Sequence, residues 1–201
     1  LVLPPKVAQE QVVIVPLLFK KGREEVLAAA HKLKDDLKAQ GVRVIVDDRE
    51  NQTPGFKYNE WELKGVPVRL ELGPRDLENK QVMLKRRDSG DKLSVPLDEA
   101  IKTVQTTLEK IHHSLYEKAN DLLNKSIVQC KTKDEVLAAV QNKQIALVPW
   151  CGSVESEEGF KDEIKIKSLN APFEQPSDAS KEVCFLTGKP ATKWFHFGKS
   201  Y

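Results

Sequence analysis

Between Tyr58 and Lys92 the chain collects an aromatic ring, a carboxylate and a series of cations: Tyr58, Glu62, Arg69, Arg75, Arg86, Arg87 and Lys92. Such a set suits the unstacked bases of single-stranded RNA. The ring offers a stacking face, the carboxylate accepts from a base edge, and the cations pair with phosphates or with base acceptors. Taken singly, each member fits a solvated strand or helix face equally well, and Trp61 in the same stretch fits a core position better than a base stacker. The set acquires chemistry only where the fold gathers it.

Other chemistries find little support. No G-x-G-x-x-G, G-x-x-x-x-G-K-[ST] or H-E-x-x-H pattern occurs. His112 and His113 are neighbours on a predicted helix and diverge by about 100°, so they form no facial pair. His31 lies among lysines as an exposed helix residue. Asp47 and Asp48 are followed at once by Arg49 and read as a solvated loop rather than a magnesium site. Cys130 has neither a helix N-terminus nor a base nearby and reads as a small buried residue. A free-standing thiol enzyme would require a reactive Cys151.

The elements that must position the set follow from periodicity. "EQVVIVPL" is a buried strand, and from Arg23 to Gln40 the residues Val26, Leu27, Ala30, Leu33 and Leu37 draw one helical stripe that Gly41 can cap. "VRVIVDD" is a second strand, and strand-helix-strand of this length favours a parallel pair. Pro54 opens a helix of about three turns that ends at Gly65. "VPVRLEL" then alternates, which puts Val66, Val68, Leu70 and Leu72 on one face and Arg69 and Glu71 on an exposed one. "GPRD" reads as a tight turn that places Arg75 just beyond the strand. "KQVMLKRR" and "KLSVPL" flank "DSGD" as a hairpin, with Lys85, Arg86, Arg87 and Lys92 around it.

After Pro96 a long amphipathic helix carries Ile101, Val104, Leu108, Ile111 and Leu115, and "SIVQC", "KDEVLAAVQN" and "QIALVPW" make strand, helix and strand of a second α+β domain. "LNAPFEQPSDAS" is a loop. The chain is 31% charged with a formal net charge of +2, so only a local patch can meet an anionic partner. The longest strongly apolar run, residues 12–19, is far short of the roughly 20 a bilayer span requires, so a soluble protein is expected. The opening "LVLPP" is no signal segment, and without an initiating Met an excised piece is expected. Three scattered cysteines fit a reducing compartment.

The stretch "DDRENQTPGFKYNEWELKGVPVRLELGPRD", with "LVLPP" before it and "FGKSY" at the end, resembles prolyl-tRNA synthetases of the eukaryotic and archaeal type from Leu1 to Tyr201. The resemblance implies an α/β fold: a class II anticodon-binding domain, a mixed sheet flanked by helices, followed by a smaller α+β C-terminal domain. The implied boundaries are 1–105, a connecting helix at 106–124, and 125–201. It implies recognition of the tRNA(Pro) anticodon stem-loop, within an enzyme that joins proline to tRNA using ATP and magnesium. "LVLPP" would come directly after the catalytic domain, so this piece is expected to hold no catalytic residue or cofactor and to be inactive alone. The partners implied are that catalytic domain and the tRNA. Homodimerisation falls mainly to the catalytic part, leaving the piece free to be a monomer, and the location implied is cytoplasmic, with no membrane.

Position by position, anticodon reading falls on Tyr58, Glu62, Arg69, Arg75 and Lys92, while Arg86 and Arg87 join them from the basic hairpin. The family's two invariant anticodon bases are guanines, and a carboxylate with a cation suits guanine edges. Tyr58 stands where some relatives use Phe and Arg75 where others carry Lys; one extra residue in "RRDSGDK" shifts the Lys92 match. Relatives often hold a zinc on four cysteines. Cys151 and Cys184 match the first and third ligands, but Ser156 and Leu186 stand at the second and fourth. No zinc is expected, and His196 would still leave tetrahedral coordination incomplete. Packing through Trp150, Phe185, Trp194, Phe195 and Phe197 must hold this domain instead. Tyr201 is expected to dock towards the catalytic domain. The competing class is a regulatory or protein-interaction module on the same fold.

Overall fold

An unbroken β-branched run makes Val12–Pro16 a strand, β1, buried at every residue. The computed structural model describes residues 1–19 and 21–199, apart from the side chains of 162–164. Its packing divides the chain into two units, Leu1–Lys118 and Ala119–Tyr201.

In the first unit, helix α1 (Arg23–Ala39) buries Val26, Ala30, Leu33 and Leu37, the stripe expected from their spacing. β2 (Val44–Val46) runs parallel to β1 as predicted. Helix α2 (Pro54–Lys64) starts on Thr53, whose hydroxyl accepts from the Phe56 N–H at 3.3 Å, and stops at Gly65, held at φ 76° where a side chain would be strained. β3 (Val68–Leu72) returns on the other side of β1, again parallel. The predicted "GPRD" turn is the start of a short helix, α3 (Pro74–Glu78), because Pro74 presets its first φ and the Asp76 carboxylate accepts from the Gly73 N–H at 2.9 Å. The hairpin follows as β4 (Gln81–Arg86) and β5 (Lys92–Pro96), completing a mixed sheet of order β2-β1-β3-β4-β5.

The two faces of this sheet differ. Val12, Ile14, Leu70, Leu72 and Leu84 bury one face against α1 and the first turns of α4 (Ala100–Ser126), which contributes Val104, Leu108 and Ile111. On the other face Trp61 and Tyr58 of α2 pack on Val13, Val15 and Ile45. That helix roofs β1 and β2 and leaves alternate residues of β4 partly exposed. A half-covered sheet is what gives the site its opening. The predicted connecting helix, 106–124, lies within α4, and the division between the units falls inside it.

The second unit comprises β6 (Ile127–Gln129), α5 (Lys133–Gln141), β7 (Ile145–Trp150), α6 (Val154–Ile164), β8 (Ile166–Asn170) and β9 (Lys193–Lys199), with sheet order β6-β7-β9-β8. Its core is aromatic: Trp150 meets Phe195 and Phe197 edge-on at 4.9 and 5.4 Å, and Phe197 meets Phe185 at 5.1 Å. Trp194, one residue out of phase with Phe195, points to the opposite face and packs on Leu147 and Ala191.

Candidate nucleic-acid interface

Strand register aligns Ile45, Val13, Arg69, Lys85 and Lys92 in one row across all five strands of the first sheet. The row therefore runs from apolar under α2 to basic where the roof ends. Arg69 and Glu71 do lie on the face away from Leu70, but the expectation that this face is exposed is wrong. They are 8% and 4% exposed, because β3 is a central strand and the polar side of α2 closes over it.

Arg69 is the hub. Its Nε and Nη2 donate to Glu71 Oε1 at 3.1 and 3.0 Å, and Nη1 donates to Glu62 Oε1 at 3.0 Å. The guanidinium carbon stands 3.8 Å from the centre of the Tyr58 ring, so one face of that ring is already taken by a cation. Lys92 Nζ pairs with Glu71 Oε2 at 2.8 Å, and Lys85 Nζ lies 3.6 Å from Glu62 Oε1. Burial pushes both carboxyls up, yet both lie below the ordinary range. For Glu62 the Arg69 hydrogen bond and the charge of Lys85 outweigh burial; for Glu71 the hydrogen bonds from Lys92 and Arg69 do. Burial first, and then the Glu71 charge, push the Tyr58 hydroxyl up to about 12.

Beside this hub a cleft of about 80 Å³ opens, with Val13, Trp61 and Val66 as its apolar part and Glu62, Arg69, Lys85, Arg86 and Arg87 as its charged part. Arg87 is anchored at the start of β3 by its own N–H, which donates to Pro67 O at 2.9 Å. Its Nε is buried with no hydrogen-bond partner among the described residues, so the cleft holds a donor to spare. The arrangement presents an ionised acceptor, Glu62, next to one unsatisfied donor, the Arg87 Nε, over an apolar floor.

The structure thus brings Glu62, Arg69, Arg86 and Arg87 to one cleft and links Tyr58 and Lys92 to it through Glu71. Arg86, paired with Val68 in the register, lines the same cleft but has its guanidinium engaged, clamping Asp88 through Nε and Nη2 at 3.1 and 2.8 Å. Arg75 is exposed on α3, beyond the far end of β3 from Arg87, roughly 15 Å away at the rise of a strand. Lys85 and Glu71 were absent from the sequence-derived reading set. Lys85 shares parity with Arg87 two residues on, and Glu71 with Arg69, which is the signal that could have found them.

A second correction concerns Asp47, expected in a solvated loop. It is 3% exposed, and its carboxylate accepts from Trp61 Nε1 at 2.8 Å and from Arg49 Nε and Nη2 at 2.8 Å each, while Lys57 Nζ donates to its backbone oxygen at 2.9 Å. β2 ends beneath α2, where a buried indole N–H requires an acceptor. Burial pushes the Asp47 carboxyl up, but the hydrogen bonds from Arg49 and Trp61 and the charges of Lys57 and Arg49 carry it down to about 2.

In the second unit Ser156 and Leu186, which stand at the second and fourth ligand positions of the resemblance, are engaged elsewhere. The Ser156 hydroxyl accepts from Trp150 Nε1 at 3.1 Å and donates to Ser153 O at 2.8 Å, and Leu186 packs on the aromatic core. His196 pairs with Leu147, whereas Cys151 follows Trp150, which pairs with Lys193, so the imidazole is several rungs from the thiols. Among the described residues no cluster of three or more His, Cys, Asp or Glu could hold a metal ion. Tyr201 lies outside the described residues.

Residues 11–107 match the anticodon binding domain family, and residues 133–201 match the family of C-terminal domains of prolyl-tRNA synthetase. Mixed sheet, half roof and charged cleft are therefore those of an anticodon-binding domain. The whole chain is 42% identical over 207 residues to the cytoplasmic proline–tRNA ligase of Arabidopsis thaliana, covering 39% of that protein. It is also 42% identical over 201 residues to the proline–tRNA ligase of Methanosarcina mazei and 38% identical over 204 residues to that of Thermococcus kodakarensis, covering 41% and 42% of them. The chain belongs to the prolyl-tRNA synthetase family, of whose C-terminal part it carries both domains. It spans about two fifths of the length of the curated relatives it matches.

Proposed function

We propose that the first unit reads the tRNA(Pro) anticodon, with a guanine edge against Glu62 and the base acceptors against Lys85 and Arg87. The observation that carries this is the ionised Glu62 carboxylate beside the partnerless Arg87 Nε in one cleft. Guanine offers N1–H and N2–H₂ donors next to acceptors at O6 and N7, which this pattern complements; adenine has an acceptor at N1 and a donor at N6, which it opposes. Arg69 is directed at Glu62 and Glu71 and serves as a positioning residue. Arg75 and Lys92, more exposed, pair with backbone phosphates. Ligation of proline to tRNA with ATP and magnesium belongs to the part of the relatives that this chain does not span, so the chain alone aminoacylates nothing. That part and the tRNA are its partners. No helix among the described residues is long and apolar enough to cross a membrane, and a cytoplasmic place follows the plant relative.

Titration at a fixed low salt concentration with a proline-anticodon stem-loop, and with the same loop carrying adenine for both guanines, tests the proposal. The expected preference for guanine is about 5- to 150-fold, the range of one bidentate base contact. Glu62→Gln removes it, because an amide offers N–H groups where two acceptors are needed. Equal binding of both loops, or of neither, would leave a protein-interaction module as the better assignment.

We also infer that the second unit carries no structural zinc, since a leucine cannot ligate and the Ser156 hydroxyl is engaged twice. Chain exposed to zinc and dialysed is expected to retain well under one equivalent, and to melt at an unchanged temperature in chelator. One tightly held equivalent would overturn this.

A further inference from the structure

Cys151 and Cys184 are free thiols on two segments of the second unit that backbone hydrogen bonds hold against each other. The Cys184 carbonyl accepts from the Gly188 N–H at 3.1 Å, which closes a tight turn that carries Thr187. Cys151 Sγ lies 3.5 Å from the Thr187 hydroxyl oxygen. Thr187 therefore ties the Cys151 sulfur to the turn that Cys184 opens. The backbone fixes this proximity: the Phe185 N–H donates to Pro149 O at 3.1 Å and the Thr192 N–H to Trp150 O at 2.9 Å.

We propose that Cys151 and Cys184 form a reversible disulfide that staples the loop after β7 to the loop before β9. The roles follow from exposure. Cys151 is partly exposed and Cys184 is 2% exposed, so a peroxide meets Cys151 first. The Cys151 thiolate attacks one oxygen of hydrogen peroxide, the O–O bond breaks, and hydroxide leaves a sulfenic acid. The Cys184 thiolate then attacks the Cys151 sulfur; the S–O bond breaks, hydroxide leaves and takes up a proton as water, and the S–S bond forms. Hydrogen peroxide is the two-electron oxidant, both sulfurs are oxidised, and a dithiol reductant reverses the step. Cys130 is built differently: it is buried in the core and its thiol donates to Val128 O at 3.6 Å, so it serves as the internal control.

The test is mass spectrometry of the chain after graded hydrogen peroxide, followed by proteolysis without reduction. A loss of about 2 Da, restored by dithiothreitol, with Cys151 and Cys184 peptides joined, is the expected result. Cys151→Ser and Cys184→Ser each abolish the 2 Da loss, and Cys184→Ser leaves Cys151 adding oxygen atoms instead. The oxidised chain is also expected to melt at a higher temperature. Oxygen addition on Cys151 in the unsubstituted chain without the 2 Da loss, or a link through Cys130 or between chains, would overturn the proposal. The unsubstituted chain carries the decisive measurement, so a variant that misfolds does not decide the question.

Discussion

Arg69→Met lowers the stability of the first unit by about 3–5 kcal/mol at pH 7, the cost of removing one partner from a buried ion pair. An exposed pair at the same distances would cost under about 1 kcal/mol. The larger figure applies because the side chains of Arg69 and Glu71 are 10% and 6% exposed and one guanidinium serves two carboxylates. Without it Lys92, at 2.8 Å, is the cation paired with Glu71, and Glu62 is left with the more distant Lys85 at 3.6 Å and the charge of Arg87. The pH dependence separates this cause from lost packing. In the unsubstituted chain Glu62 and Glu71 lie below their unfolded values, so their contribution is present above about pH 4.5 and is lost as pH falls through the lowered values. In the variant burial acts on Glu71 with less opposition, and protonation relieves it. The deficit is therefore greatest at neutral pH and shrinks towards pH 4. Urea unfolding followed on Trp61, the one tryptophan of the first unit, measures it at both pH values. A further change, Glu71→Leu, recovers much of the loss. A small deficit that does not vary with pH would mean that water already screens these charges.

Much of this fold is legible in the sequence because its signals are local. The stripe on α1, the Thr53-Pro54 start and Gly65 stop of α2, and the hairpin around "DSGD" each follow from spacing and turn chemistry. What local pattern could not give is sheet order. "VPVRLEL" alternates like a strand with one wet face, but β3 lies between β1 and β4, and α2 covers the polar face. Alternation reports which residues share a face, not what covers it. The same gap hid Asp47, whose partner Trp61 is fourteen residues on, and turned a loop carboxylate into a buried anchor. It also obscured the difference between Arg86 and Arg87, adjacent cations of one cleft, of which Arg86 is clamped on Asp88 while the Arg87 Nε has no hydrogen-bond partner among the described residues. In the second unit, α6, β8 and β9 carry weak periodicity of their own, and the aromatic cluster exists only because β9 inserts between β7 and β8.

Asp47→Ala is the other large effect, about 3–5 kcal/mol, because three donors lose one acceptor inside the protein. Trp61 Nε1 loses its acceptor, the Arg49 guanidinium loses both bonds to Asp47 and keeps its bond to Glu60, and the Lys57 ammonium, 4% exposed, loses the charge 3.8 Å away. Asp47→Asn isolates the charge, since the amide oxygen can still accept from Trp61 while nothing offsets Lys57. Its folded value of about 2 against an unfolded 3.8 corresponds to about 2 kcal/mol at neutral pH. The shift is downward, so that stability is fully present above about pH 4 and is lost as pH falls from there towards 2. Acid titration of stability should then slope less steeply in Asp47→Asn than in the unsubstituted chain across that window. Trp61 and Glu62 are consecutive on α2, so releasing the anchor also frees the carboxylate that faces the cleft. Stability and guanine preference are expected to fall together in Asp47→Ala, whereas Glu62→Gln removes the preference and leaves the Asp47 anchor intact. An Asp47→Asn chain as stable as its parent at pH 7, with the same acid slope, would show that hydrogen bonding alone fixes α2 and that the Asp47 charge has no part in presenting Glu62.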